Sequence, residues 1–144
     1  LTSDCAPLNH LVAGMLEAAP AIRCLRDPTR GGLSSTLNEL ARQSGVGIRI
    51  DENRIPIKEE VRGACELLGL DPLILANEGK LVAIVAPEAA EKIIQKMHSH
   101  PLGREAAIIG EVREEPRGKV VLRTSLGSTR LMDMLVGELL PRIC

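Results

Sequence analysis

A chain of 144 residues without a single Trp, Tyr or Phe must build its core from aliphatic side chains alone. Leu, Ile, Val, Ala and Met then carry the packing, at roughly 1.5–3 kcal/mol for each large aliphatic that is fully buried. No large ring is present to absorb packing errors. A hydrophobic share of 44% makes such a core feasible, and the length suits one domain burying about two-thirds of its unfolded surface. The missing rings also remove any platform for stacking single-stranded bases. Eighteen Lys and Arg against 19 Asp and Glu leave a net charge of −1, so a basic surface tracking phosphates is not expected either. No run reaches ~18 apolar residues, which argues against a membrane-spanning helix. Nucleic acid and membrane are both poor first expectations.

A sequence opening at Leu1 is expected to be an excerpt from a longer chain, and Leu1 to Pro7 carries no basic leader pattern. The four cysteines, Cys5, Cys24, Cys65 and Cys144, are widely spaced without a C-x-x-C pair. Free thiols in a reducing cytoplasm are the expectation.

Leu8, Leu11, Val12, Met15, Leu16 and Ala19 follow the helical period and predict a helix running to Pro20, followed by a short strand over Ile22 to Leu25. Leu33, Leu37, Leu40 and Ala41 mark a second helical stripe, with Asn38, Glu39, Arg42 and Gln43 on the water side and Gly45 as its stop. Val46 to Ile50 reads as a strand, and Val61, Ala64, Cys65 and Leu68 as a third helical face ending at Gly69. The continuous run Leu81 to Ala86 predicts a strand covered on both sides. Pro87 opens a fourth helix with Ala90, Ile93, Ile94 and Met97 inward. Residues 107–112 and 119–123 flank Glu115-Pro116-Arg117-Gly118 and predict a hairpin. Strands and helices interleave without strict alternation, so the expected plan is α/β (α+β), a mixed sheet with flanking helices.

Three segments could carry chemistry. Asp27-Pro28-Thr29-Arg30-Gly31-Gly32 lies between a strand end and a helix start. Its glycines let backbone N–H groups approach an anion, Thr29 can donate a hydroxyl bond, and Arg30 offers a guanidinium fork. The same residues also suit a tight turn in which Asp27 and Thr29 satisfy the first helical N–H groups. Asn77-Glu78-Gly79 precedes the buried strand. There Glu78 could serve as a base or ligand holder, and Gly79 could permit an unusual turn or a close substrate approach, although a solvated turn explains the segment too. The third is the ending Leu139-Leu140-Pro141-Arg142-Ile143-Cys144, whose last thiol is anchored on one side only. From Leu131 the extended chain could span ~45 Å at ~3.3 Å per residue. Arg142 could offset the α-carboxylate that disfavours the Cys144 thiolate, while a terminal cysteine without a role is the plainer reading. His98 and His100, beside Pro101, predict a helix-end interaction and no metal site. Cys24 and Cys65 are expected to pack in the interior, and Met132, Met134, Leu135 and Val136 to join ordinary core or a docking stripe.

Taken together, Arg26-Asp27-Pro28-Thr29-Arg30-Gly31-Gly32-Leu33, Ala76-Asn77-Glu78-Gly79-Lys80-Leu81 and Leu140-Pro141-Arg142-Ile143-Cys144 resemble the HypE family of hydrogenase maturation carbamoyl dehydratases. That family lies within the aminoimidazole ribonucleotide synthetase (PurM-like) superfamily. The resemblance covers essentially all of the chain, as the C-terminal half of the family's sequence. The Pro-Arg-Ile-Cys ending is specific to the family, whereas the other two segments recur across the superfamily.

The resemblance implies a PurM C-terminal-domain-like mixed sheet over residues 1–130, a tail over 131–144, and an N-terminal ATP-binding domain elsewhere. It further implies that Cys144 receives a carbamoyl group from the carbamoyltransferase HypF and is dehydrated to a thiocyanate with ATP. The cyano group then passes to iron on the HypC–HypD complex as a ligand of the [NiFe]-hydrogenase centre. On this basis Cys144 and Glu78 are the expected catalytic residues. Asp27, Thr29, Arg30, Gly31 and Gly32 lie toward the nucleotide phosphates, with Asn77, Gly79 and Arg142 shaping the site. ATP and Mg2+ would be held mostly by the N-terminal domain, which would also form a homodimer. The 144 residues alone would then bind neither tightly and be inactive. Two other readings stay open, half of another PurM-like ATP-dependent synthetase and a non-catalytic interaction domain. The terminal Pro-Arg-Ile-Cys argues against the synthetase.

Overall fold

A computed structural model describes residues 3–18 and 21–133. The elements run α1 (Asn9–Ala18), β1 (Ile22–Arg26), α2 (Gly32–Ser44), β2 (Gly47–Asp51), α3 (Glu59–Leu68), β3 (Val82–Val85), α4 (Ala90–His98), β4 (Gly110–Arg113), β5 (Val120–Arg123) and β6 (Thr129–Leu131). Short 3-10 turns punctuate them, one of which, Pro87–Ala89, leads into α4. Among the described residues no helix is long and apolar enough to cross a membrane.

The strands form two sheets, an antiparallel β1–β3 ladder and a four-stranded sheet ordered β4-β2-β5-β6. In the larger sheet β2 runs antiparallel to β4 and parallel to β5, so the sheet is mixed as expected. The expected hairpin does not form. Lys119 accepts a bond from Ile48 N–H, and Gly118 donates to Val46, so the turn after β4 delivers the chain to the far side of β2. The preference is understandable in area terms. Ile48 and Ile50 of β2 are buried beside Val120 and Leu122 of β5, and a β4–β5 hairpin would leave β2 on an edge.

Two aliphatic cores result. Leu37, Leu40 and Ala41 of α2 pack with Ile48, Ile50, Leu73, Val120, Leu122 and Met132. Leu11 and Met15 of α1 pack with Ala89 and Ile93, placing α1 on α4. The β1–β3 ladder lies between them. Val82 and Ile84 face the first core, and Ala83 and Val85 face the second. The apolar run is thus covered on both sides as expected, yet Val82 to Val85 stay half-buried because only one strand flanks them among the described residues.

Element ends follow local chemistry. Gly45 and Gly69 close α2 and α3 in the left-handed conformation, with φ of 64° and 67°. Three expectations about faces fail. Leu16 and Leu68 are more than half exposed, at 53% and 71%, and Asn38, expected in water, is buried. Ala19, Pro20, Met134, Leu135 and Val136 fall outside the described residues. Leu131 belongs to β6, and Met132 is buried in the first core because its N–H continues the ladder to Val120.

Candidate active site

Residues 27–31 link β1 to α2. The Thr29 hydroxyl donates to Asp27 Oδ2 at 2.8 Å. Asp27 is held below the ordinary carboxylate value of 3.8 by that bond first, then by its own backbone N–H and by nearby Arg26, with slight opposition from burial. Arg26 is itself paired with Glu39 at 2.8 Å. Asp27 and Thr29 therefore bond each other and do not cap the first helical N–H groups as the tight-turn reading expected; α2 follows Gly31 without a side-chain cap. Arg30 is exposed and has no ion pair among the described residues.

The two glycines serve the chain's own packing. Both have positive φ, 66° at Gly31 and 61° at Gly32. A Cβ on Gly31 would lie 2.1 Å from Ser35 Oγ, and one on Gly32 would lie 2.4 Å from the Leu75 carbonyl oxygen. The missing Cβ lets the Ser35 side chain approach Gly31 and the 73–75 backbone approach Gly32.

That approach brings the second predicted segment alongside. Asn77 N–H donates to the carbonyl of buried Pro28 at 3.1 Å, tying the two loops together. Asn77 Nδ2 donates to Leu75, and its Oδ1 accepts from Lys80 Nζ at 3.0 Å, so the side chain braces its own loop. Glu78 is exposed, and its carboxylate has no hydrogen bond or ion pair among the described residues. Gly79 does not have a positive φ. It is needed because the N-terminal segment crosses it, and a Cβ there would stand 1.5 Å from the Asp4 carbonyl oxygen.

Sequence reasoning missed the groups that hold these pieces. Asp4 Oδ2 accepts from Glu78 N–H at 3.2 Å and lies 3.6 Å from Lys80 Nζ. On α2, Asn38 Nδ2 donates to the carbonyls of Ser34 and Met132 at 3.0 and 2.8 Å, and Ser34 Oγ donates to that of Asp133 at 2.8 Å. Ser34 and Asn38 thereby grip the last described residues from the first turns of the helix that the Gly31-Gly32 turn opens. An available signal was the i, i+4 spacing of two small polar residues beside the apolar stripe. Nothing local marks Asp4, which is 74 positions from its partner. Arg142 and Cys144 lie outside the described residues.

The other polar candidates have structural duties. His98 Nε2 is 2.7 Å from the Ala106 carbonyl, and His100 Nδ1 accepts from Leu102 N–H. Cys65 is buried, Cys24 half-buried and Cys5 exposed, all as free thiols. Among the described residues no three His, Cys, Asp or Glu side chains come together.

Residues 2–123 match the model of the family described as AIR synthase related protein, C-terminal domain. Over 142 residues the chain is 60% identical to carbamoyl dehydratase HypE of Azotobacter vinelandii, an alignment covering 99% of this chain and 42% of that protein. A crystal structure of hydrogenase maturation protein HypE in complex with ATP superposes with a TM-score of 0.91 at 48% identity, covering 99% of this chain and 44% of that one. A HypE–HypF complex matches with a TM-score of 0.89 at 46% identity, over 94% and 44% of the two chains. The chain thus spans less than half the length of the relatives it matches. With the mixed sheet, its flanking helices and a match over most of the sequence, the chain belongs to the AIR synthase related, C-terminal domain family.

Proposed function

We propose that this chain is the C-terminal domain of a HypE-type carbamoyl dehydratase acting in hydrogenase maturation in the cytoplasm. The observation that carries the reading is the bond from Asn77 N–H to the Pro28 carbonyl. It sets the free carboxylate of Glu78 in the loop beside the turn that presents Arg30. Identity of 60% to a named carbamoyl dehydratase and the Pro141-Arg142-Ile143-Cys144 ending support it.

In this reading the Cys144 thiol accepts a carbamoyl group from HypF and becomes an S-carboxamide. The carboxamide oxygen then takes the terminal phosphoryl group of ATP. The nitrogen gives up its two protons, the carbon–oxygen bond breaks as phosphate leaves, and a thiocyanate remains with ADP and phosphate as the other products. Phosphorylation is required because oxide and hydroxide are poor leaving groups. Proton removal is required because a carbon–nitrogen triple bond leaves no hydrogen on nitrogen. Glu78 either takes a proton or orients the carboxamide. The cyano group goes on to iron on HypC–HypD.

Phosphate recognition in this domain falls to Arg30 and to the α2 N-terminus, which carries no side-chain cap. Asp27 is ionised at neutral pH and repels phosphate directly; its part is to hold Thr29. Most ATP contacts, Mg2+ and the homodimer interface belong to the N-terminal domain of the full-length protein, so the 144 residues alone neither bind ATP tightly nor dehydrate a carboxamide.

Intact-mass spectrometry tests the reading on the full-length protein incubated with HypF, carbamoyl phosphate and ATP. A carbamoyl adduct on the C-terminal peptide that later loses the mass of water is expected, and Cys144→Ala should abolish it. A Cys144→Ala protein that remained fully competent in hydrogenase assembly would overturn the reading.

A further inference from the structure

Among the described residues the Glu78 carboxylate has no partner, so its place in the site is set by its backbone. That backbone is held from one residue. Asp4 Oδ2 accepts the Glu78 N–H at 3.2 Å and lies 3.6 Å from Lys80 Nζ, while the Asp4 carbonyl fills the space beside Gly79 that any Cβ would require. The Ala6 amide nitrogen would also lie within 2.9 Å of that Cβ. Lys80 passes the restraint to Asn77 through the 3.0 Å bond between Nζ and Oδ1, and Asn77 is the residue tied to Pro28. One residue from 74 positions away therefore meets Glu78 N–H and Lys80 with its side chain and covers Gly79 between them with its backbone carbonyl.

We propose that Asp4 is the positioning residue of Glu78, clasping the 77–80 loop so that the free carboxylate keeps its station beside the Arg30 turn. The assignment rests on the role given to Glu78 above. The contacts differ in weight. The Asp4–Lys80 pair is exposed, with side chains 37% and 53% accessible, and such pairs contribute little. The charge-assisted bond to the Glu78 N–H and the contact at Gly79 restrain the backbone directly. The acceptor atom matters more than the charge, so an asparagine should replace the aspartate well.

Step-resolved kinetics on the full-length protein test this. Asp4→Ala should leave carbamoylation of Cys144 at the wild-type rate, because that step needs only the thiol and HypF. Its kcat for dehydration should fall roughly 10–100-fold, as expected for a misplaced catalytic group. The KM for ATP should stay within about twofold, since the phosphate side is untouched. Asp4→Asn should recover most of the loss, because its amide oxygen still accepts from Glu78 N–H. Hydrogen exchange at the Glu78 amide should accelerate in Asp4→Ala and stay protected in Asp4→Asn.

Dehydration at the wild-type rate in Asp4→Ala, with Glu78→Gln impaired, would overturn the assignment while leaving the proposed function intact. An Asp4→Asn protein as impaired as Asp4→Ala would overturn it as well, and that variant keeps the test open if the alanine protein does not fold. Full dehydration activity in Glu78→Gln would instead overturn the role of Glu78 itself.

Discussion

Replacing Asn38 with leucine should destabilise the fold by about 2–4 kcal/mol although it puts an apolar side chain into a buried place. Asn38 is only 3% exposed, and its Nδ2 donates to both Ser34 and Met132. The Ser34 carbonyl lies inside α2 and keeps its helical partner, so that loss costs about 0.5–1.5 kcal/mol. The Met132 carbonyl has no other partner among the described residues, and leaving a buried acceptor unsatisfied costs about 1–3 kcal/mol. Better apolar transfer of leucine offsets part of the sum. At this chain length the midpoint of thermal unfolding should drop by roughly 5–15 °C. Urea unfolding of wild type, Asn38→Leu and Ser34→Ala provides the assay, with Ser34→Ala losing about 1 kcal/mol because only the Asp133 bond goes. A leucine variant within about 0.5 kcal/mol of wild type at an unchanged denaturant slope would refute the reasoning. The grip matters because residues 134–144, with the thiol at their end, continue from this anchored point.

Thr29→Val should raise the pKa of Asp27 toward 3.8, because the first cause of its depression is lost, and a carboxyl-carbon NMR titration would show it. A depressed folded-state value stabilises the fold above the unfolded value and ceases to do so as pH falls through the lowered one. The stability gap between wild type and Thr29→Val should accordingly narrow on acidification below about pH 4, and a gap that widened there would contradict the assignment. Calorimetric titration of residues 1–144 with Mg2+ and ATP should show no low-micromolar binding. Micromolar affinity needs about 8 kcal/mol, and one exposed guanidinium at a helix N-terminus supplies only a fraction of it.

Much of the fold is legible locally. The stripe of Leu37, Leu40 and Ala41 gives α2, Gly45 gives its end, and the Leu81 to Ala86 run gives a strand with two covered faces. The loops at 27–32 and 76–80 stand out by composition, and the structure ties them together. Asn38 is misjudged because helical periodicity records polarity, and this polar side chain lies inside to supply the donor that the distant Met132 carbonyl needs. The β4–β5 hairpin is misjudged because a turn-like stretch between two strands reports nothing about a third strand that can lie between them. Gly79 stands out by its small size, and the neighbour the structure shows against it is the Asp4 carbonyl.

The order of residues determined by itself which stretches become helix or strand, an all-aliphatic core, and the motifs that place the chain in its family, because each depends on side chains near one another in the sequence. Only the tertiary structure decided that β2 separates β4 from β5, that Asp4 seals the Glu78 loop, and that Ser34 and Asn38 grip residues 132 and 133. Those choices depend on which donors and acceptors find partners across 74 to 99 positions, and no local pattern encodes that pairing.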